Sequence, residues 1–221
     1  MPGHGARFEE MPFENVTDMA TEAAAVIEDD ASGVPFAFYG HSLGAVVAYE
    51  TAKLLQARAD GAGQSSPFHL FVGAARAPQL PRVLAPISQL PQDEFLNAVQ
   101  SRYGGLPAAL FEEPELLEIF LPVLRADFSA YESYQYVEPA PLRRPVTAFH
   151  GVHDPVVRSA AVNEWARVTE AGFQFEHLEG DHFFLSANTC REALLKRISG
   201  CFEKEVPRSQ AGLSAHLSTS T

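Results

Sequence analysis

Five consecutive residues constrain this chain more than any others: Gly40-His41-Ser42-Leu43-Gly44, a G-x-S-x-G pattern between the apolar run Val34 to Tyr39 and an amphipathic stretch from Ser42 to Ala57. A serine presented off the end of a strand, at the start of a helix, needs a sharp and strained turn. Side chains at the flanking positions would meet neighbouring backbone, which is why glycine is called for there. The backbone N–H of Leu43 would then point toward a negative charge developing on a carbonyl oxygen. Alone the pattern is weak: with glycine near 7% of residues and serine similar, a chain this long shows it by chance roughly one time in fifteen. Here an apolar strand leads in and a helix leads out, which is the setting the turn requires, and this favours a nucleophilic Ser42 over a plain βα turn.

The rest of the chain alternates strands and helices. Residues 1–14 read as a loop, and Asn15 caps a helix through about Glu28, with Asp18 favourable in its first turn. Val16, Met19, Ala20, Ala23, Ala24 and Ile27 give it an apolar stripe at helical spacing. A turn is expected at 29–33, a strand at Val34–Tyr39, a tight bend at Gly40–Gly44, a helix at Ser42–Ala57, a polar loop at 58–67 and a strand at Phe68–Val72. Residues 76–142 break the rhythm. They are proline-rich, with helical patterns near Gln92–Tyr103 and Pro114–Tyr131, and read as a helical insertion between two core strands. The alternation then resumes with a strand at Pro145–Phe149, a helix at Ser159–Thr169, a strand at Phe173–Leu178 and a helix from about Thr189 to Phe202. From 206 to 221 the chain is small and polar and is expected to be disordered, leaving one domain over 1–205. Alternating strands and helices predict a mostly parallel α/β sheet.

A serine needs a base at neutral pH, and on this scaffold the chain order is serine, then acid, then histidine. Of eight histidines, His4 and His41 precede the serine, His69 and His150 lie within strands, His177 ends one, and His216 is in the tail. His153 lies in a loop but stands directly beside Asp154, the acid proposed below. His182 follows Gly180-Asp181, after the penultimate apolar strand and before the last helix, where the base belongs. Asp154 is the candidate acid, just past the strand Pro145–Phe149, with Pro155 restricting it to extended geometry. Asp181 is adjacent to His182, but neighbouring side chains in an extended segment point apart. Asp127, in the insertion, is a further competitor.

Composition narrows the partners. The chain is 46% hydrophobic, enough for one sizeable core, and its net charge of −12 argues against nucleic acid. The same acidity gives no support for docking an acidic carrier protein, which wants a local basic patch, and Arg143-Arg144 is one of only two adjacent basic pairs. Cys190 and Cys201 fall on one expected helix, roughly 16 Å apart, too far for a disulfide. With no apolar stretch long enough to span a membrane and no signal-peptide core, a cytoplasmic location is expected.

Six segments in order, GHSLGAVVAYETAKLL, GAARAP, PQDEFL, LRADFSAYESYQY, PVTAFHGVHDP and GDHFFL, resemble type II thioesterases, the stand-alone hydrolases that work beside polyketide and nonribosomal peptide synthases. The resemblance covers about residues 1–203. It implies the α/β-hydrolase fold, a mostly parallel sheet with helices on both faces, and a lid formed by 76–142 over an acyl pocket. It implies Ser42 as nucleophile, Asp154 as acid partner and His182 as base. The implied partners are acyl or peptidyl carrier proteins bearing phosphopantetheine, with small acyl thioesters as substrates, and no cofactor or metal is needed. The pattern also departs from the family. Members usually place several strands before the elbow, with a His-Ala-Gly-Gly-like loop that supplies a second oxyanion N–H. Here MPGHGARFEE matches the segment after those strands. The expectation is a missing front end, by truncation or a start codon assigned late, since Met1 stands where the family commonly has leucine before Pro-Gly. Losing one oxyanion donor costs on the order of 10²–10³ in turnover, and the strand before Ser42 would lose a neighbour. The alternatives are therefore an impaired remnant that only binds carrier protein, or a generic carboxylesterase.

Overall fold

The computed structural model describes residues 1–30, 34–62, 66–138 and 140–205. The tail from 206 and the centre of the turn at 29–33, both expected from the sequence, lie outside the described residues. In chain order the elements are α1 (Val16–Asp30), β1 (Phe38–His41), α2 (Leu43–Ala62), β2 (Leu70–Gly73), α3 (Gln92–Tyr103), α4 (Ala109–Glu112), α5 (Pro114–Ser133), β3 (Val146–Gly151), α6 (Ser159–Asn163), β4 (Phe173–Leu178) and α7 (Asn188–Glu205). Met1–Phe184 form one compact unit, and the described residues from Leu185 form another.

In the first unit all four strands are parallel, in the order β1-β2-β3-β4, with Gly40 opposite Val72 and Val72 opposite Ala148. Successive side chains alternate between faces. Leu70, Val72, Val146 and Ala148 pack with Ala45, Tyr49 and Ala52 of α2 and with Val162, Trp165 and Val168 on the other flank. Phe71 and Phe149 fill the opposite face. Trp165 has no exposed surface and donates its indole N–H to the Ala75 carbonyl at 2.8 Å, so its polar atom is satisfied inside the core. Asn15 caps α1, accepting the Asp18 N–H at 2.9 Å. Val16, Met19, Ala20 and Ala24 are the buried face of that helix, which packs on α2. Between β2 and β3 the chain makes α3, α4 and α5, with a small core of its own around Ile87, Phe95, Leu96 and Val99. In the second unit, Cys190 and Leu194 of α7 are buried and Ile198, Cys201 and Phe202 are half-buried.

Several element bounds differ from the sequence expectation, each for a physical reason. β1 begins at Phe38 rather than Val34, because Pro35 has no N–H to give the ladder; Phe36 makes one bond, from the Phe68 N–H at 2.8 Å. It then runs through His41, so the bend expected over Gly40–Gly44 is confined to Ser42. β3 likewise starts after Pro145 and extends to Gly151. α2 runs on to Ala62, through the first residues of the expected loop. The helix expected over Ser159–Thr169 tightens to 3-10 geometry at Glu164–Val168, where Trp165 turns in to reach Ala75. Residues 1–14 contain a 3-10 turn at Gly5–Arg7, and α4 was not expected at all. Among the described residues β1 is bonded only to β2, so the strand that leads to Ser42 is a sheet edge.

The two glycines of the turn are not equivalent. A Cβ on Gly40 would lie 2.1 Å from the Gly44 carbonyl oxygen and 2.6 Å from Ala45 Cα, whereas one on Gly44 would meet nothing within 4 Å. The expectation that both flanking positions exclude a side chain holds for Gly40 only. Gly40→Ala is expected to destabilise by more than about 3 kcal/mol, since backbone has to move. Gly44→Ala should stay within about 1 kcal/mol of the parent. Chemical denaturation of the two variants checks the contrast, and equal stability would remove the steric account of this turn.

Candidate active site

Ser42 stands alone between β1 and α2, with φ +52°, a left-handed conformation uncommon for a residue with a Cβ. Its N–H donates to the Gly73 carbonyl at 2.9 Å, and its own carbonyl accepts the Ala45 N–H at 3.0 Å as the helix begins. The strained residue is held from both sides, and such strain of about 1–3 kcal/mol persists only where the surroundings over-determine it. Leu43, the expected oxyanion donor, is the first residue of the 20-residue helix α2, at the end where free N–H groups concentrate.

The loops after β3 and β4 meet beside it. Gly151 makes this possible: a Cβ there would lie 2.2 Å from the Asp181 carbonyl oxygen, so the loop carrying His182 crosses directly over the end of β3. The His153 N–H bonds the Gly180 carbonyl at 2.9 Å, tying the two loops together. Asp154 turns its carboxylate inward. Oδ1 accepts the N–H groups of Val156 and Val157 at 2.8 and 3.0 Å, and Oδ2 accepts from His182 Nδ1 at 2.9 Å. The pair is sealed from solvent, with side-chain exposures of 3% for His182 and 0% for Asp154. Burial pushes the Asp154 carboxyl up, but the His182 bond and the two backbone N–H groups outweigh it and hold the group below the ordinary carboxylate range. A carboxylate can only accept, so Nδ1 carries the proton and the neutral ring presents a lone pair at Nε2. Nε2 lies 3.2 Å from Ser42 Oγ. The three residues singled out in the sequence therefore form one chain of hydrogen bonds, with the serine hydroxyl as donor to the imidazole.

The competing groups are engaged elsewhere. Asp181 accepts the Phe183 N–H at 2.8 Å, and His153 pairs with Glu179 at 2.7 Å on the surface. Asp127 pairs with His4 at 3.1 Å, and the other His4 ring nitrogen faces the Pro2 carbonyl at 3.0 Å. Both nitrogens thus face acceptors, which requires one proton more than a neutral ring beside a carboxylate would hold. Burial pushes the Asp127 carboxyl up, against the His4 bond.

Sequence reasoning missed the groups that hold this arrangement in place. His41, set aside because it precedes the serine, donates Nε2–H to the His182 carbonyl at 2.8 Å, and its Nδ1 takes the Tyr39 hydroxyl at 3.0 Å. Burial lowers the His41 pKa, with the His182 carbonyl opposing, in keeping with a neutral ring. His150 donates to the Val157 carbonyl at 2.8 Å and so steadies the turn that presents Asp154. Tyr103 and Phe183 meet the His182 ring edge-on at 5.4 and 5.3 Å. No local pattern marks His41, because it acts on the His182 backbone from 141 residues away.

Ser42, Leu43 and His182 open onto a cavity of about 640 Å³, lined chiefly by apolar side chains such as Met19, Val47, Val99, Leu124 and Phe128, with His4, Asp127 and Tyr131 as polar points. Its size is that of a small-molecule site.

Known proteins share this arrangement of elements. The thioesterase domain family matches residues 1–201. The linear gramicidin dehydrogenase LgrE of Brevibacillus parabrevis is 37% identical over 92% of this chain and 75% of its own. Its name is that of an oxidoreductase, but the 206 shared residues necessarily take in most of the stretch matched by the thioesterase family. Among solved structures, the RedJ thioesterase of the prodiginine pathway in Streptomyces coelicolor superposes with a TM-score of 0.78 at 34% identity, over 90% of this chain and 72% of that one. YbtT, a type II thioesterase from the yersiniabactin NRPS/PKS pathway, gives 0.78 at 31%, over 90% and 78%. A parallel sheet, a serine held in left-handed geometry at the strand-to-helix turn, and this breadth of similarity lead to one conclusion: the chain belongs to the thioesterase domain family, has the α/β-hydrolase fold, and has type II thioesterases of nonribosomal peptide and polyketide pathways as its relatives.

Proposed function

We propose that this protein hydrolyses acyl thioesters borne on the phosphopantetheine arm of carrier proteins, with Ser42 as nucleophile, His182 as general base and Asp154 as the carboxylate that orients it. The observation that carries the reading is the unbroken chain from Asp154 Oδ2 through both nitrogens of His182 to Ser42 Oγ, at 2.9 and 3.2 Å. Ser42 Oγ attacks the thioester carbonyl as its proton passes to His182 Nε2. The Leu43 N–H, at the start of α2, donates to the oxyanion. When the tetrahedral adduct collapses, the C–S bond breaks and the imidazolium protonates the departing thiolate. Water, deprotonated by the same nitrogen, then attacks the acyl-serine and releases the acid. Asp154 stays ionised throughout and stabilises the imidazolium. In this reading the stretch 76–142, with α3–α5, is a lid, and the 640 Å³ cavity takes the acyl group. The setting is cytoplasmic. Among the described residues no helix is long and apolar enough to cross a membrane.

Ser42→Ala and His182→Ala should each lower kcat on an acyl-pantetheine thioester by about 10⁴-fold or more, and the double variant by little beyond either single one, because the residues act as a unit. A fluorophosphonate should label Ser42, detected by mass spectrometry. Hydrolysis by Ser42→Ala at the parent rate would end the proposal, and a strong preference for oxygen esters over carrier thioesters would favour a carboxylesterase. Asp154→Asn should lower kcat by about 10⁴-fold through loss of the correct tautomer.

Asp154 also makes a pH prediction. Its carboxyl lies below the ordinary aspartate value of 3.8 in the folded protein, so its contribution is fully present above that value and is lost as pH falls through the lower folded one. Asp154→Asn should therefore be less stable than the parent at neutral pH, and the gap should close below about pH 4. Thermal melts of both proteins from pH 7 to pH 3 measure it; a gap that is constant with pH would contradict the assignment.

A further inference from the structure

Next to the serine cavity lies a second one of about 450 Å³, and the two share Tyr103, Phe128, Tyr131, Val156 and Val157 as a common wall. Four arginines line it: Arg76 after β2, Arg82 in the following loop, Arg102 in the last turn of α3, and Arg158 just before α6. In a chain of net charge −12 with 16 basic residues, this is a concentration of positive charge from four separate stretches of sequence. Among the described residues none of the four forms an ion pair. The one carboxylate in the cavity, Glu132, is occupied by the backbone N–H groups of Ile87 at 2.6 Å and Ser88 at 3.1 Å. Arg76 Nε is buried with no hydrogen-bond partner among the described residues, and a buried donor left unpaired is costly. The charges of Arg76 and Arg82 also act on the Tyr131 hydroxyl, which lies on the shared wall.

Guanidinium groups recognise phosphate oxygens through paired, charge-assisted hydrogen bonds. We propose that Arg76, Arg82, Arg102 and Arg158 form an anion site for the phosphate ester of a phosphopantetheinyl thioester, whose acyl end occupies the adjoining cavity beside Ser42. The proposal rests on the thioesterase reading for its ligand. It supplies the local basic surface that the overall charge and the Arg143-Arg144 pair do not. Phosphate holds one end of the arm and the apolar cavity holds the acyl group, so the arm between them passes the residues that the two cavities share and leaves the thioester beside Ser42. Arg102 is itself steadied by donation to the Ala85 carbonyl at 2.6 Å.

The test is binding of phosphopantetheine against pantetheine, which differ only in the phosphate, by titration calorimetry on the parent and on Arg158→Gln, Arg76→Gln and the double variant. Phosphopantetheine should bind the parent on the order of tenfold or more tightly, with the difference shrinking as salt is raised. Each substitution should narrow the difference and the double variant should close it. Equal binding of the two probes, or a difference that survives in variants whose melting temperature is unchanged, would overturn the proposal. Should the Arg76 variants fail to fold, the exposed Arg158 carries the test alone. Coenzyme A against pantetheine, and holo against apo carrier protein, repeat the comparison on the two natural sources of the arm and tell which one the site reads. None of these measurements needs turnover, so they stand apart from the Ser42→Ala comparison that tests hydrolysis.

Discussion

Where β1 hands over to α2 the chain doubles back so tightly that Gly40 lies against the carbonyl of Gly44, and the site is organised around that contact. A β-carbon at position 40 would push the helix off the strand. Without it, Ser42 is forced into left-handed geometry and its hydroxyl projects past the C-terminal edge of the sheet. The strain is supported by two ordinary backbone hydrogen bonds, one to β2 and one into α2. A second close approach does the same for His182. Gly151 ends β3 beneath the Asp181 carbonyl, and the two loops it lets meet are those carrying Asp154 and His182. Two glycines, more than a hundred residues apart, thus set the distance between a hydroxyl and an imidazole.

The polar chain built on these approaches is buried, and burial alone would drive the Asp154 carboxyl toward its neutral form. Its oxygens are fully engaged, two bonds on Oδ1 and one on Oδ2, and this keeps it charged. The proton on His182 is therefore located by what Asp154 cannot do, namely donate. Two further histidines act one step removed. His41 holds the His182 backbone and His150 the backbone beyond Asp154, so two rings of the same type brace the loops that carry His182 and Asp154.

Much of this was legible in the residue pattern, and the limits of legibility follow a rule. α3 was read to its exact ends, because Pro91 and the Gly104-Gly105 pair mark them locally. β4 was read to its ends as well. β1 starts later than the apolar run from Val34, because the run's apolar character does not reveal that Pro35 lacks the N–H the ladder needs. The helix after β3 was drawn as one piece, because nothing near Trp165 in sequence announces that its indole must reach Ala75, 90 residues away. Gly44 was credited with a steric need that belongs to Gly40 alone.

By itself the sequence determined the local chemistry: the elbow around Ser42, the turn chemistry of Asp154-Pro155, the loop position of His182, and chain order as the guide for pairing them. These are short-range properties, set by φ, by the absence of a side chain or an N–H, and by periodicity. Only the tertiary structure decided what converges. It brought His41 under the loop it holds, sent Asp127 to His4, and gathered Arg76, Arg82, Arg102 and Arg158 around one cavity beside another. No stretch of residues encodes such meetings, because they arise when a parallel sheet returns distant segments to the same edge, and the distance between side chains there depends on the crossings and not on their spacing along the chain.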